Sequence, residues 1–184
     1  MAVTAFATGT QTANEAGTST AMAATTLTDS GKSWVVDAYI GQTVEVVEGD
    51  VIHSLLGTDS DATSVTGAAW VPHIPTDTTQ AYIIRVEHFL SSVNAAGTYT
   101  LHVDTVNMAA GDVLELRIYQ MVLTSGTSRV AYVMRYYGAQ ATDDLIKISV
   151  PISNELTDAT SLRFSLKQTF GTGRAFPWKV LKHA

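Results

Sequence analysis

The sequence has no cysteine, which excludes disulfides and thiolate metal sites and leaves the redox compartment open. Charge is scarce: Asp, Glu, Lys and Arg make up 15 % of 184 residues, against roughly 25 % in an average soluble domain. Basic residues are scarcest at the front, where residues 1–86 hold only Lys32 and Arg85 against nine carboxylates. Sequence-independent nucleic-acid binding needs a basic surface, so nucleic acid is not an expected partner. No apolar run approaches the ~20 residues of a membrane-spanning helix, and no basic-plus-apolar leader opens the chain. A soluble, unsecreted chain with no membrane partner is expected. Apolar residues nowhere recur at helical spacing over three turns, which leaves an all-β fold.

What is present fits that fold. Hydrophobic residues make up 46 % of the chain, and much of the rest is Thr, Ser and Gly. Such a mixture suits half-buried strands with uncharged outer faces, or a subunit packed against neighbours. Charge is unevenly divided, −7 over residues 1–86 and +1 over residues 87–184, which suggests two units in different surroundings. Residues 1–24 read as an N-terminal arm, either disordered or pairing with a sheet edge through the alternation Thr4-Ala5-Phe6-Ala7-Thr8.

Residues 25–86 read as a small all-β module. Thr26-Leu27-Thr28 is a short strand, residues 35–41 a single turn, and residues 42–48 an alternating strand. The apolar stretch 51–56 then gives way to a polar run, 57–61, and later to a loop stiffened by Pro72 and Pro75. Residues 81–86, apolar on both faces, read as a central strand. The expected core is Leu27, Trp34, Tyr39, Val44, Val46, Ile52, Trp70, Tyr82 and Ile84.

Residues 87–184 show strands at regular spacing with turn signals between them, a β-sandwich of jelly-roll type. Tyr99, Leu101 and Val103 form one buried face, Leu114, Leu116 and Ile118 another, and Leu162, Phe164 and Leu166 a third. Ile146, Ile148, Val150 and Ile152 read as a further inward face. Residues 125–128 read as the tight loop of a hairpin leading into residues 129–137.

Each motif with a chemical flavour fails on spacing. Gly31-Lys32-Ser33 lacks the glycine that a phosphate loop needs at position 26, which is threonine. Asp59-Ser60-Asp61 begins like a calcium loop, but Trp70 stands where the bidentate glutamate belongs. The five histidines, His53, His73, His88, His102 and His183, form no metal-binding pair by spacing. Asp143-Asp144 are adjacent and point apart if extended, and no nucleophile elbow is present. Gly171-Thr172-Gly173-Arg174 reads as a turn, with an anion site as its alternative. No catalytic residue, metal or cofactor is expected, and the chain is read as a non-enzyme.

The stretch with most character is the tail. After that turn, Phe176, Trp178 and Val180 share one face of a strand and Pro177 and Lys179 the other. A proline within the strand predicts an edge position or an irregular pairing. Phe6, Arg174, Phe176, Pro177 and Trp178 are the candidate interaction residues.

From Glu87-His88-Phe89-Leu90, through residues 108–117, to the GTGRAFPW run of residues 171–178, the chain resembles a family of small tailed-phage and prophage structural proteins. Short members run from an opening like residues 5–13 almost directly into the strand matching Glu87–Leu90. That resemblance makes the stretch from about Asn14 to Val86 an insertion, and it predicts that these two residues lie close together, with the first strand beside residues 176–180. The insertion, through residues 25–34, Tyr39-Ile40-Gly41, Ala69-Trp70 and residues 78–84, is similar to a β-module recurring in phage fibre and appendage proteins, although residues 50–64 lack its usual basic residue.

The resemblance implies a virion protein, assembled in the host cytoplasm. The leading expectation is a capsid decoration, or cement, protein: a homo-oligomer such as a trimer, bound to the major capsid protein or another virion protein. A tail, neck or fibre-base component is the alternative. A carbohydrate-binding domain using Trp34, Trp70 and Trp178 is a third reading.

Overall fold

The computed structural model describes residues 3–11 and 13–183. Among them there are sixteen strands and no helix. The strands divide between two compact units, one formed by the segments before Asn14 and after Val86, the other by Asn14–Val86.

Strand β1 (Val3–Gln11) belongs to the first unit. The second unit holds β2 (Glu15–Thr18), β3 (Ala21–Ala23), β4 (Thr26–Thr28), β5 (Thr43–Glu48), β6 (Val51–Ser60), β7 (Ser64–Val71) and β8 (Ala81–Arg85). These form one antiparallel sheet in the order β2-β8-β5-β6-β7-β4-β3. Its inner side buries Leu27, Val44, Val46, Leu55, Val65 and Ile84, with Trp34, Trp70 and Tyr82 closing the core. A single sheet can wrap such a core only by curling, and this one forms a half-barrel. The central place of β8, between β2 and β5, accounts for its apolar character on both faces.

Several expectations for this unit need correction. Residues 15–18 and 21–23 are not part of an arm; they are strands of the module, with Glu15 opposite Ile84 and Met22 opposite Leu27. Backbone pairing carries them, which is why their composition gave no apolar signal. The Asn14 side chain accepts the Val86 amide at 3.3 Å, so the two ends of the module meet. Residues 36–41 make turns, in keeping with the turn expected over 35–41. The polar run 57–60 is strand, not loop, because β6 continues to Ser60 through two bulges. Gly57 makes this possible: a Cβ there would sit 2.5 Å from the Tyr39 carbonyl oxygen. Ile52 is 43 % exposed, and its neighbour His53 is fully buried instead. The hairpin register pairs Val46 with His53, and the inward Leu55 fixes the same parity.

The first unit continues with β9 (Glu87–Val93), β10 (Gly97–Asp104), β11 (Val113–Gln120), β12 (Arg129–Tyr137), β13 (Ile146–Ile148), β14 (Ile152–Asn154), β15 (Leu162–Phe170) and β16 (Phe176–His183). One sheet runs β1-β16-β10-β13, with β14 also on β10; the other runs β12-β11-β15-β9. Their facing sides share one core of Tyr99, Leu101, Val103, Leu114, Leu116, Ile118, Leu162, Phe164, Leu166, Phe176 and Val180. This is a β-sandwich, and the three alternating faces read from the sequence are buried in it.

Strand β16 is central rather than at an edge, since β1 covers one side and β10 the other. Pro177 is tolerated because the β10 ladder ends at Trp178, one residue before it would need an amide from the proline. Ile146, Ile148 and Val150 point outward, and Lys147 and Ser149 are buried in their place. Both of these buried polar side chains have a partner: Lys147 Nζ pairs with Asp144, and Ser149 Oγ accepts the Leu101 amide at 2.9 Å. The connection from β11 to β12 spans residues 121–128, longer than a tight hairpin loop.

Candidate assembly surfaces

The five candidate interaction residues separate once placed in the sandwich. Phe176 is fully buried and belongs to the core. Arg174 is committed internally: its Nε reaches Asp112 Oδ2 at 2.6 Å and its amide donates to Gln168 Oε1 at 2.9 Å. The turn that looked able to hold an anion is filled by the protein's own Asp112. Gly171, at φ 86°, lies so close that a Cβ would fall 1.9 Å from Asp112 Oδ1. Trp178 is half-buried against the core, while Pro177 is exposed. Phe6 is 38 % exposed and sits at the register shift between β1 and β16, its ring edge-on to Tyr99 at 5.4 Å.

Pro177 does border a concave feature. A groove of about 250 Å³ is lined by Thr8, His102, Asp104, Ile146, Pro177 and Lys179, among others. It lies on the outer side of the β1-β16-β10-β13 sheet, since His102 pairs with Lys179 and Ile148, and Asp104 with Ile146. Next to it runs the exposed stripe Ile146, Ile148 and Val150. Behind it, Thr100 Oγ1 joins His102 Nε2 at 3.2 Å to His183 Nε2 at 2.9 Å. Burial, with help from Lys179 and His183, lowers the His102 pKa.

Strand β12 presents a second apolar surface. It is the edge of its sheet among the described residues, and Val130, Val133, Met134 and Tyr137 are all exposed along it. Val122 and Leu123, in the loop before it, are more exposed still. The outer face of the adjoining β11 is by contrast saturated with ion pairs. Glu115 is 3 % exposed and lies between Arg117 and Arg135. Arg117 also reaches Glu87 Oε2 at 3.0 Å, and Glu87 Oε1 accepts the Tyr119 hydroxyl at 2.7 Å. Burial pushes the Glu115 carboxyl up, but the two guanidinium groups outweigh it and hold it below its ordinary range. Arg163 stacks over Phe89 at 4.5 Å, extending this polar face.

In the other unit, Trp34 and Trp70 are buried, and the Trp70 indole nitrogen donates to the Ala23 carbonyl at 3.0 Å. They offer no stacking platform for a sugar. The histidines that sequence spacing left scattered are brought together there: His53 and His73 stand edge-to-face at 4.7 Å, beside Glu48. No local pattern marks this cluster, because its members come from the end of β5, the start of β6 and the loop after β7.

No family model, curated protein or solved structure matches the chain.

Proposed function

We propose that this protein is a non-enzymatic structural subunit of a tailed-phage virion, acting as a decoration protein on the exterior of the head and assembling as a homo-oligomer such as a trimer. The observation that carries the proposal is the uncovered edge strand β12, with Val130, Val133, Met134 and Tyr137 exposed along it. An edge strand with unpaired amides and apolar side chains on both faces is a template for another chain unless a partner covers it. The outer face of the adjoining β11 is instead covered by the Glu115 ion pairs, so the apolar edge of β12 stands out from the surface beside it.

The stripe Ile146, Ile148 and Val150 beside the Pro177 groove supplies a second apolar surface on the other sheet. In this proposal one surface joins copies of the subunit and the other seats it on the major capsid protein or another virion protein. The resemblance of residues 171–178 to phage structural proteins supports the setting.

Counting copies in purified virions tests this. Hundreds of copies per particle on the head, with loss of resistance to heat and osmotic shock when the protein is stripped, is the expected outcome. A few or a dozen copies purifying with tails assigns the protein to the neck, tail or fibre base, and normal resistance in stripped heads removes the cement role.

A further inference from the structure

We propose that Glu48, His53 and His73 form a binding site for a divalent transition-metal ion of the zinc class. The proposal concerns the Asn14–Val86 unit alone and stands independently of the virion reading. One potential ligand atom from each residue lies within 4.8 Å of the others.

His53 Nδ1 lies 2.9 Å from the His73 carbonyl oxygen. A carbonyl only accepts, so Nδ1 carries the hydrogen, and Nε2 of the neutral ring presents a bare lone pair. His53 is fully buried, and its Nε2 makes no hydrogen bond. The polar atom it faces is Glu48 Oε2 at 3.4 Å, itself an acceptor. Two lone pairs facing each other, one of them on a fully buried ring, are relieved by a cation between them.

The spacing separates the two cations that would serve. A proton shared by imidazole and carboxylate draws the heavy atoms to about 2.7–2.9 Å. A tetrahedral ion with bonds of about 2.0–2.1 Å holds its ligand atoms roughly 3.3–3.4 Å apart. The 3.4 Å between His53 Nε2 and Glu48 Oε2 matches the metal. His73, exposed in the loop after β7, supplies the third ligand, one of its potential ligand atoms lying within 4.8 Å of the other two. The fourth position then faces solvent and takes water.

The surroundings have the character of a second layer around a metal. Glu48 Oε1 accepts the Thr76 amide at 3.1 Å, the Thr76 hydroxyl and the Asp77 amide at 3.2 Å, and Oε2 shares the Thr76 amide at 3.3 Å. These bonds hold the carboxylate in place with Oε2 toward His53. The His53–His73 carbonyl bond fixes one ring as metal sites commonly do. Two imidazoles and one carboxylate suit Zn²⁺, with Co²⁺, Ni²⁺ and Cu²⁺ as chemical relatives, and do not suit Mg²⁺ or Ca²⁺, which take oxygen shells. The ion would tie the β5–β6 hairpin to the loop after β7.

The test titrates untagged, chelator-treated full-length protein with Co²⁺ and then Zn²⁺. One saturable Co²⁺ per chain with visible ligand-field absorption, displaced by Zn²⁺, is expected, together with a zinc-dependent rise in melting temperature. His73→Ala and Glu48→Gln should keep the circular dichroism spectrum and weaken binding about 10- to 100-fold. His102→Ala, in the other unit, should leave affinity unchanged. Replacing buried His53 risks the fold, so its role is read by NMR: Zn²⁺ should shift the His53 Nε2 resonance. Absence of saturable binding, equal affinity in His73→Ala, loss of affinity in His102→Ala, or a His53 Nε2 resonance indifferent to zinc would each overturn the proposal.

Discussion

Replacing Glu115 by glutamine probes whether the ion-pair face of β11 stabilises the sandwich. The side chain is 3 % exposed and receives Arg117 and Arg135 on its two oxygens. Glutamine keeps the shape but retains one acceptor oxygen and turns an amide NH₂ toward a guanidinium. Removing one partner of a buried pair costs about 3–5 kcal/mol when the survivor is stranded. Here neither survivor is stranded: Arg117 keeps Glu87, and Arg135, with 55 % of its side chain exposed, turns to water. What is lost is the charge assistance of three bonds, two from Arg117 and one from Arg135, each worth about 1.5–3 kcal/mol, less what the amide oxygen recovers as neutral bonds. About 2–3 kcal/mol follows, a fall of roughly 4–12 °C in melting temperature for a chain of this size.

The effect should also depend on pH. The folded Glu115 pKa lies below its unfolded value, so its stabilisation is complete above about 4.3 and is lost as pH falls through the folded pKa. Urea unfolding of both proteins at neutral pH and in a series down to acid should show the gap closing on acidification. A gap under about 0.5 kcal/mol at neutral pH, the scale of an ordinary surface substitution, or one that ignores pH, refutes the reasoning.

Other substitutions test other parts of the account. Gly171→Ala, with its Cβ driven into Asp112 at a positive φ, should destabilise the sandwich by about 1–3 kcal/mol or more, read as a lower urea midpoint. Met134→Lys together with Val133→Lys should leave the melting temperature within a few degrees and shift the proposed oligomer toward monomer in light scattering. Tyr136, pushed up to about 12 chiefly by burial, should ionise after the exposed tyrosines in an absorbance titration at alkaline pH, and Tyr136→Phe should remove that late step. Because its folded pKa is raised, the stability it lends is complete below its unfolded pKa of about 10 and is lost as pH rises toward about 12.

Strand faces were legible in the sequence wherever one parity was apolar and the other polar, as along Tyr99, Leu101 and Val103. They were misread where the buried parity holds a polar residue whose partner is distant in sequence. Ile52 and Ile146 look like core residues, but His53 and Lys147 occupy the inside because the His73 carbonyl and Asp144 meet them there. A distant acceptor leaves no trace in local periodicity. The same limit applies to the tail. Its alternation placed Phe176, Trp178 and Val180 on one face, but alternation does not say that β1 covers the strand, or that Asp112 already occupies Arg174. The polar run through Thr58 and Asp59 reads as loop because its outward side chains are the conspicuous ones, while the inward positions are Gly57 and Ser60.

The bond from the Val86 amide to the Asn14 side chain has a consequence for how such a chain changes over time. A domain whose two ends lie side by side, as Asn14 and Val86 do, can be installed in, or removed from, a host loop without asking the host to move its own strands apart. The junction between Gln11 and Glu87 is thus a socket, indifferent to cargo so long as the cargo's ends are adjacent. A curled sheet with a metal clip is one cargo; an unrelated domain with neighbouring termini would fit the same socket, and the sandwich would offer a place for display.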